Sequence, residues 1–203
     1  GKDCFIQNYV DLDHGSGYED YEQGHLSYDD HTGTDFRVPW KDMQDGVRVL
    51  AAADGVVFAA RDDLEENVRL SASQAGGNAV ILLHPDGSKT YYMHMRKGSV
   101  RVVEGDVVQT GDVLGLVGMS GWTEFPHLHF QVRIDGRDVD PFTGRSTQLG
   151  SALGNLFCPE VKRRLKYIPT GLMTHGFTTT VPDKDYAEQH STGMERIDAD
   201  APA

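Results

Sequence analysis

Apolar and polar positions alternate in short runs from about Val47 to Asp140, and glycine, aspartate and proline cut the runs apart. "VRVLAAADGVVFAARD" carries Asp54-Gly55 between two apolar stretches, a pattern that predicts a hairpin. "NAVILLHPDGSKTYYMHM" sets Pro85-Asp86-Gly87 between two strands, and "HFQVRIDGRDVDP" turns at Asp135-Gly136. "VRVVEGDVVQTGDVLGLVG" adds turns at Glu104-Gly105-Asp106 and Thr110-Gly111-Asp112. No long window shows the 3.6-residue period of an amphipathic helix. The pattern predicts a mainly β protein, an antiparallel sheet folded over on itself as a sandwich-like core.

The flanks read differently. Residues 1–30 are acidic and rich in Tyr and Gly, and predict an N-terminal arm with weak secondary structure, packed against the core. Residues 61–77, "RDDLEENVRLSASQAGG", form a long polar excursion of the kind that is mobile or functional. Beyond Pro141, "PEVKRRLKY" predicts a short helix with Pro159 at its start, and "TGLMTHGFTTTV" one bent strand or a pair. The expected division is an arm over 1–30, a core over 31–142 and a C-terminal extension over 143–203 that reads as an incomplete appendage.

Composition narrows the chemistry. A length of 203 residues suits one good-sized domain, and no run approaches the ~20 apolar residues of a membrane span. The formal charge of -12 argues against a nucleic-acid partner, whose phosphates need a basic surface. Cys4 and Cys158 are either two buried thiols or one long-range disulfide. Two thiols cannot build a cysteine-rich zinc site, so a metal would need His and Asp ligands. The chain begins at Gly1 rather than Met, which predicts a processed segment whose export signal, if any, lies outside it.

Three segments hold the histidines that matter. In "PHLHFQV", His127 and His129 share one face of a strand while Leu128 and Phe130 face the other. Such a pair can be a metal site, an acid/base site or neither. In "HTGTDF", His31 and Asp35 would stand ~13 Å apart along an extended strand, too far to share an ion. Thr32, Gly33 and Thr34 are poor helix formers, so a tight turn at Gly33 is the expected route to closing the pair on one metal. His94, in "YYMHM", would on its own be a hydrogen-bonded packing residue. Together the segments could assemble a His/His/Asp metal site with two histidines to spare. His14, His25, His84, His175 and His190 lie outside these motifs. Tyr92 reads as packing, Asn78 and Asp140-Pro141 as turn formers, and Asp62, Asp63, Glu65 and Glu66 as a solvated loop.

His31-Thr-Gly-Thr-Asp35, Tyr92-Met-His94 and His127-Leu-His129, in that order, resemble the lysostaphin/LytM-type zinc metallopeptidases, family M23. The resemblance covers roughly residues 28–142, and "CFIQNYVDLD" with "SYDDHTGTDFR" is similar to a Gram-negative branch of that family. It implies the folded β core of those peptidases and one Zn2+ held by His31, Asp35 and His129. His94 and His127 would be the catalytic pair that does not bind the metal, with their individual roles open. Three protein ligands leave zinc a fourth position for water or substrate, as catalytic sites require. The branch would place a cysteine near Gln23-Gly24; none stands there, so the partner of Cys4 is open.

The resemblance implies a zinc-dependent endopeptidase that hydrolyses cross-links or stem peptides of bacterial peptidoglycan, exported to the periplasm or cell envelope. Its partners would be peptidoglycan peptides, with no nucleic acid and no membrane span. The alternative is a catalytically silent M23-like protein that binds wall or regulates another hydrolase, with the arm before His31 able to block the site. A third possibility, a biotinyl or lipoyl carrier, fits the "GDVVQTGDVLG" texture but needs a lysine at a hairpin tip, and neither Lys89 nor Lys97 has the flanking context.

Overall fold

The structure is a computed structural model that describes residues 5–68 and 71–146, together with 153, 154, 156, 157 and 167. The helix expected in "PEVKRRLKY" falls outside these residues except for Tyr167, and so do the strands expected in "TGLMTHGFTTTV", both cysteines, His175 and His190.

The described residues hold ten strands: β1 (Phe5–Asn8), β2 (Thr34–Arg37), β3 (Arg48–Leu50), β4 (Gly55–Arg61), β5 (Asn78–Leu83), β6 (Lys89–Met95), β7 (Val107–Val108), β8 (Val113–Leu116), β9 (His127–Ile134) and β10 (Arg137–Val139). Eight form one antiparallel sheet in the order β1-β2-β9-β6-β5-β4-β7, with β10 also on β9, while β3 and β8 pair separately. The expected mainly β, antiparallel architecture is what the chain adopts. Alternation decides the faces. Val57, Val80, Leu82, Tyr92, Phe130 and Val132 turn to one side of the large sheet and pack with Val49, Leu114, Val117 and Met119. The opposite side carries Asp35 and Arg37 of β2 and His127 and His129 of β9.

Two local expectations change. Asp54-Gly55 does not join a hairpin: β3 pairs with β8 and β4 pairs with β5 and β7. Its chemistry is spent across the fold, where the Asp54 carboxylate accepts the Thr110 backbone N–H and hydroxyl. A six-residue helix, α1 (Trp40–Asp45), follows Pro39 and is too short to show a helical period in the sequence. The hairpins at Pro85-Asp86-Gly87 and Asp135-Gly136 are present, joining β5 to β6 and β9 to β10.

The arm is more ordered than its composition predicts. β1 pairs with β2, and Tyr9, Val10 and Leu12 are buried. Tyr9 packs edge-on against Tyr21 and Phe142 and stacks with Tyr167. Buried Asp11 and Asp20 take the place of secondary structure. Asp11 accepts the backbone N–H of Asp13, Glu19 and Asp30, and Asp20 those of Glu22, Gly24 and Leu26. The start of the 61–77 excursion is likewise tied down, with Asp62 accepting Ser99 N–H and Glu66 accepting Lys97 N–H.

Asp140 closes the core at the turn before Phe142. Burial pushes its carboxyl up to about 6, against the opposing pull of the Phe142 N–H and the Thr143 hydroxyl. The folded chain therefore holds its proton more tightly than the unfolded chain. The contribution of Asp140 to stability is fully present below the ordinary value of 3.8 and is lost as pH rises through about 6, by at most about 3 kcal/mol. Asp140→Asn should flatten that part of the profile of urea midpoint against pH; an unchanged slope would contradict the assignment.

Candidate metal centre and histidine cluster

Strand register builds the centre. β2 and β9 pair so that Asp35 lies opposite His129 and Arg37 opposite His127, while Thr34, Phe36, Leu128 and Phe130 take the other face. His31 sits just before β2. Its Nε2 lies 3.2 Å from Asp35 Oδ1 and 3.2 Å from His129 Nδ1, and His129 Nδ1 lies 2.9 Å from the same carboxylate oxygen. All three residues are buried, and they are the group able to hold a metal ion among the described residues.

The donors have the geometry of a metal site. Four ligands around zinc at ~2.0–2.2 Å would stand roughly 3.4 Å apart in a tetrahedron, so the observed spacings need only a slight outward shift. Two imidazole nitrogens and one carboxylate oxygen are also the donor types zinc takes.

Gly33 has a different purpose from the expected turn. Its φ is not in the left-handed region, but a Cβ there would sit 2.5 Å from His129 Nε2 and 2.8 Å from the Phe130 carbonyl oxygen. Glycine is required for close approach to the His129 ring. The left-handed residue is Asp30, at φ 63°, and it sets the direction in which the chain enters His31.

His94 reaches the cluster through a bulge. Plain alternation along β6 would put it on the core side with Thr90 and Tyr92. Instead Tyr92 pairs with Val80 and Met95 with Asn78, so β6 carries one residue more than β5 in this interval. His94 adopts φ 59°, Met95 continues the core face, and the His94 ring lies 4.6 Å from the His127 ring and 5.9 Å from that of His129. An extra residue that re-aims a side chain is a common use of a bulge beside a site.

Backbone carbonyls fix three tautomers. A carbonyl can only accept, so each facing Nδ1 carries the proton. His31 Nδ1–H donates to Tyr9 O at 2.6 Å, His94 Nδ1–H to Ser120 O at 2.9 Å and His127 Nδ1–H to Phe125 O at 2.8 Å. In all three rings Nε2 is left as the lone-pair nitrogen, and that of His127 stands 3.6 Å from Asp35. Burial, then the neighbouring histidines, pushes His94 down to about 3. Burial also lowers His127, against the pull of Asp35. Burial pushes the Asp35 carboxyl up, but the imidazoles of His129 and His31 set against it outweigh burial and hold the group well below the usual carboxylate range. A carboxylate and neutral imidazoles are the forms that bind metal and accept protons.

Sequence reading missed the residues behind the histidines. Ser120 Oγ accepts Asn78 N–H and donates to Met95 O, which fixes the carbonyl used by His94. Asn78 is no turn former: its amide bonds Leu64 N–H and carbonyl and pins the start of the excursion to β5. Tyr28 stacks on His31 with centroids 4.2 Å apart. No local pattern marks these contacts. Tyr92 is buried with its hydroxyl accepting Ala52 N–H, and His84 bridges Asp54 O and Thr90 away from the cluster. His14 and His25 are exposed.

The chain matches the model of peptidase family M23 over residues 29–141, more than half its length, and belongs to that family. The DD-carboxypeptidase/endopeptidase Mpg of Neisseria meningitidis is 38% identical over 112 residues, 55% of this chain and 22% of that protein. The peptidoglycan DD-endopeptidase ShyA of Vibrio cholerae is 33% identical over 110 residues, 54% of this chain and 22% of that protein. The solved catalytic domain of a variant of the prophage-encoded M23 protein EnpA from Enterococcus faecalis aligns with a TM-score of 0.47 at 26% identity, covering 70% of this chain and 91% of that one. This chain thus spans about a fifth of the length of the curated relatives named here.

The left-handed backbone at His94 gives a direct test. Ala and Gly there leave the same hole, but Ala keeps the Cβ that disfavours this φ. His94→Gly should be more stable than His94→Ala by about 1 kcal/mol, the reverse of the usual order within a strand. Urea unfolding of the two variants decides it, and a more stable alanine variant would contradict the bulge.

Proposed function

We propose that this chain carries a zinc-dependent endopeptidase that hydrolyses peptide bonds in bacterial peptidoglycan. The observation that carries the reading is the convergence of His31 Nε2, Asp35 Oδ1 and His129 Nδ1, with two further lone-pair imidazoles beside them. The name of ShyA supplies the substrate class. In this reading His31, Asp35 and His129 hold one zinc ion per chain. Zinc at such a site supplies Lewis acidity, which activates water as a nucleophile and polarises a carbonyl.

The chain's own residues do the rest. His94 and His127, neutral and anchored through Nδ1, offer Nε2 to the proton of the attacking water. The imidazolium formed can donate to the oxygen that gains charge or to the leaving amine, while Asp35 favours the charged ring electrostatically. Burial keeps bulk water from competing for these lone pairs. The bond cut is a peptide cross-link or a stem peptide, and the site of action follows from the substrate: the periplasm or cell envelope. Among the described residues, no helix is long and apolar enough to cross a membrane.

Bound zinc and muropeptide release from sacculi, measured together, test this reading. His31→Ala should lose both. His127→Ala should keep zinc while release falls by about 10²- to 10⁴-fold. Full release by either variant would overturn the assignment.

A further inference from the structure

The family match begins at residue 29, yet the hydrogen bond that orients His31 comes from outside it. Tyr9 O accepts His31 Nδ1–H at 2.6 Å, and the same carbonyl accepts the Ser27 hydroxyl at 2.8 Å. Around this contact the arm is stitched to the ligand segment. Asp11 N–H donates to His31 O at 2.8 Å, Tyr9 N–H to Leu26 O at 2.7 Å, and Asp30 N–H to the Asp11 carboxylate at 3.1 Å. β1 continues the pairing along β2, with Asn8 opposite Asp35. The Tyr9 ring is clamped among Tyr21, Phe142 and Tyr167, so its carbonyl has little freedom to turn.

We propose that the arm is the outer shell of the metal site and that Tyr9 is a positioning residue for His31; the inference rests on His31 being a zinc ligand. By holding the proton on Nδ1, the Tyr9 carbonyl leaves Nε2 bare and aims it at Asp35 and His129. Hydrogen bonds to the distal nitrogen of a ligating histidine fix its tautomer and raise its basicity. His31 is only 2% exposed, so water is poorly placed to substitute for the carbonyl. Among the described residues, no His, Cys, Asp or Glu of the arm joins the three-residue cluster.

The test is zinc affinity by chelator competition on the full chain, with urea midpoints for each variant. Tyr9→Ala should weaken zinc binding about 10- to 100-fold, and Tyr9→Phe, which keeps the clamped ring, should restore it. Val108→Ala, buried on β7 at the opposite edge of the sheet from β1, leaves the Tyr9 clamp intact, so it should lower stability with zinc affinity close to that of the unaltered chain. Wild-type affinity in Tyr9→Ala, beside lost binding in His31→Ala, would overturn the inference and spare the metal assignment. Retained binding in His31→Ala would overturn the metal assignment itself. Proton NMR of the unaltered chain gives a readout independent of whether Tyr9→Ala folds. The His31 Nδ1–H should be a slowly exchanging downfield resonance, and rapid exchange of that proton would overturn the proposal.

Discussion

Asp35 lies opposite His129 because β2 and β9 pair in one register, and the centre depends on that register. The side-chain period of a strand is two, so a slip of β2 by one residue would turn Asp35 toward the core and Phe36 toward the site, and part Asp35 from His129. Apolar burial on the far face resists the slip. Phe130 and Val132 pack into the core with Tyr92, Val80 and Leu82, whereas the opposite face carries Asp35, His127 and His129. The hydrophobic face thus positions the polar one, and the spacing of the His31, Asp35 and His129 donors is a by-product of core packing.

A second constraint acts at the level of protons. Three histidines give Nδ1–H to carbonyls from three separate segments, at Tyr9, Ser120 and Phe125. Each of these bonds leaves a bare Nε2, which suits both metal binding and proton acceptance. His94 takes its place at the cost of a left-handed backbone, a strain of order 1–3 kcal/mol that surrounding hydrogen bonds must hold in place. Those bonds are present: His94 N–H donates to Gly76 O, and His94 O accepts Gly118 N–H.

Much of this was legible in the sequence, for local reasons. His127-Leu-His129 declared a shared strand face, and His31 and Asp35 declared a pair that only a specific backbone path could close. Turn residues announced the β5–β6 and β9–β10 hairpins. What escaped depends on partners distant in sequence. Asp54-Gly55 carries hairpin chemistry but serves Thr110, 56 residues away. Gly33 looks like a turn glycine, and only the position of His129 reveals that it is needed for clearance. Strict alternation assigns His94 to the core, and nothing in "YYMHM" signals the extra residue. The arm's acidic composition conceals a fold held by buried carboxylates accepting backbone N–H groups.

The central claim is that His31, Asp35 and His129 form one metal centre while His94 and His127 stand beside it without binding. A crystal structure of the zinc-loaded protein, with anomalous data collected on both sides of the zinc edge, tests it most directly. The account predicts a single strong peak within coordination distance of His31 Nε2, His129 Nδ1 and the Asp35 carboxylate, with His94 and His127 outside that distance. A peak ligated by His94 or His127, or one that leaves out any of the three predicted ligands, would contradict it.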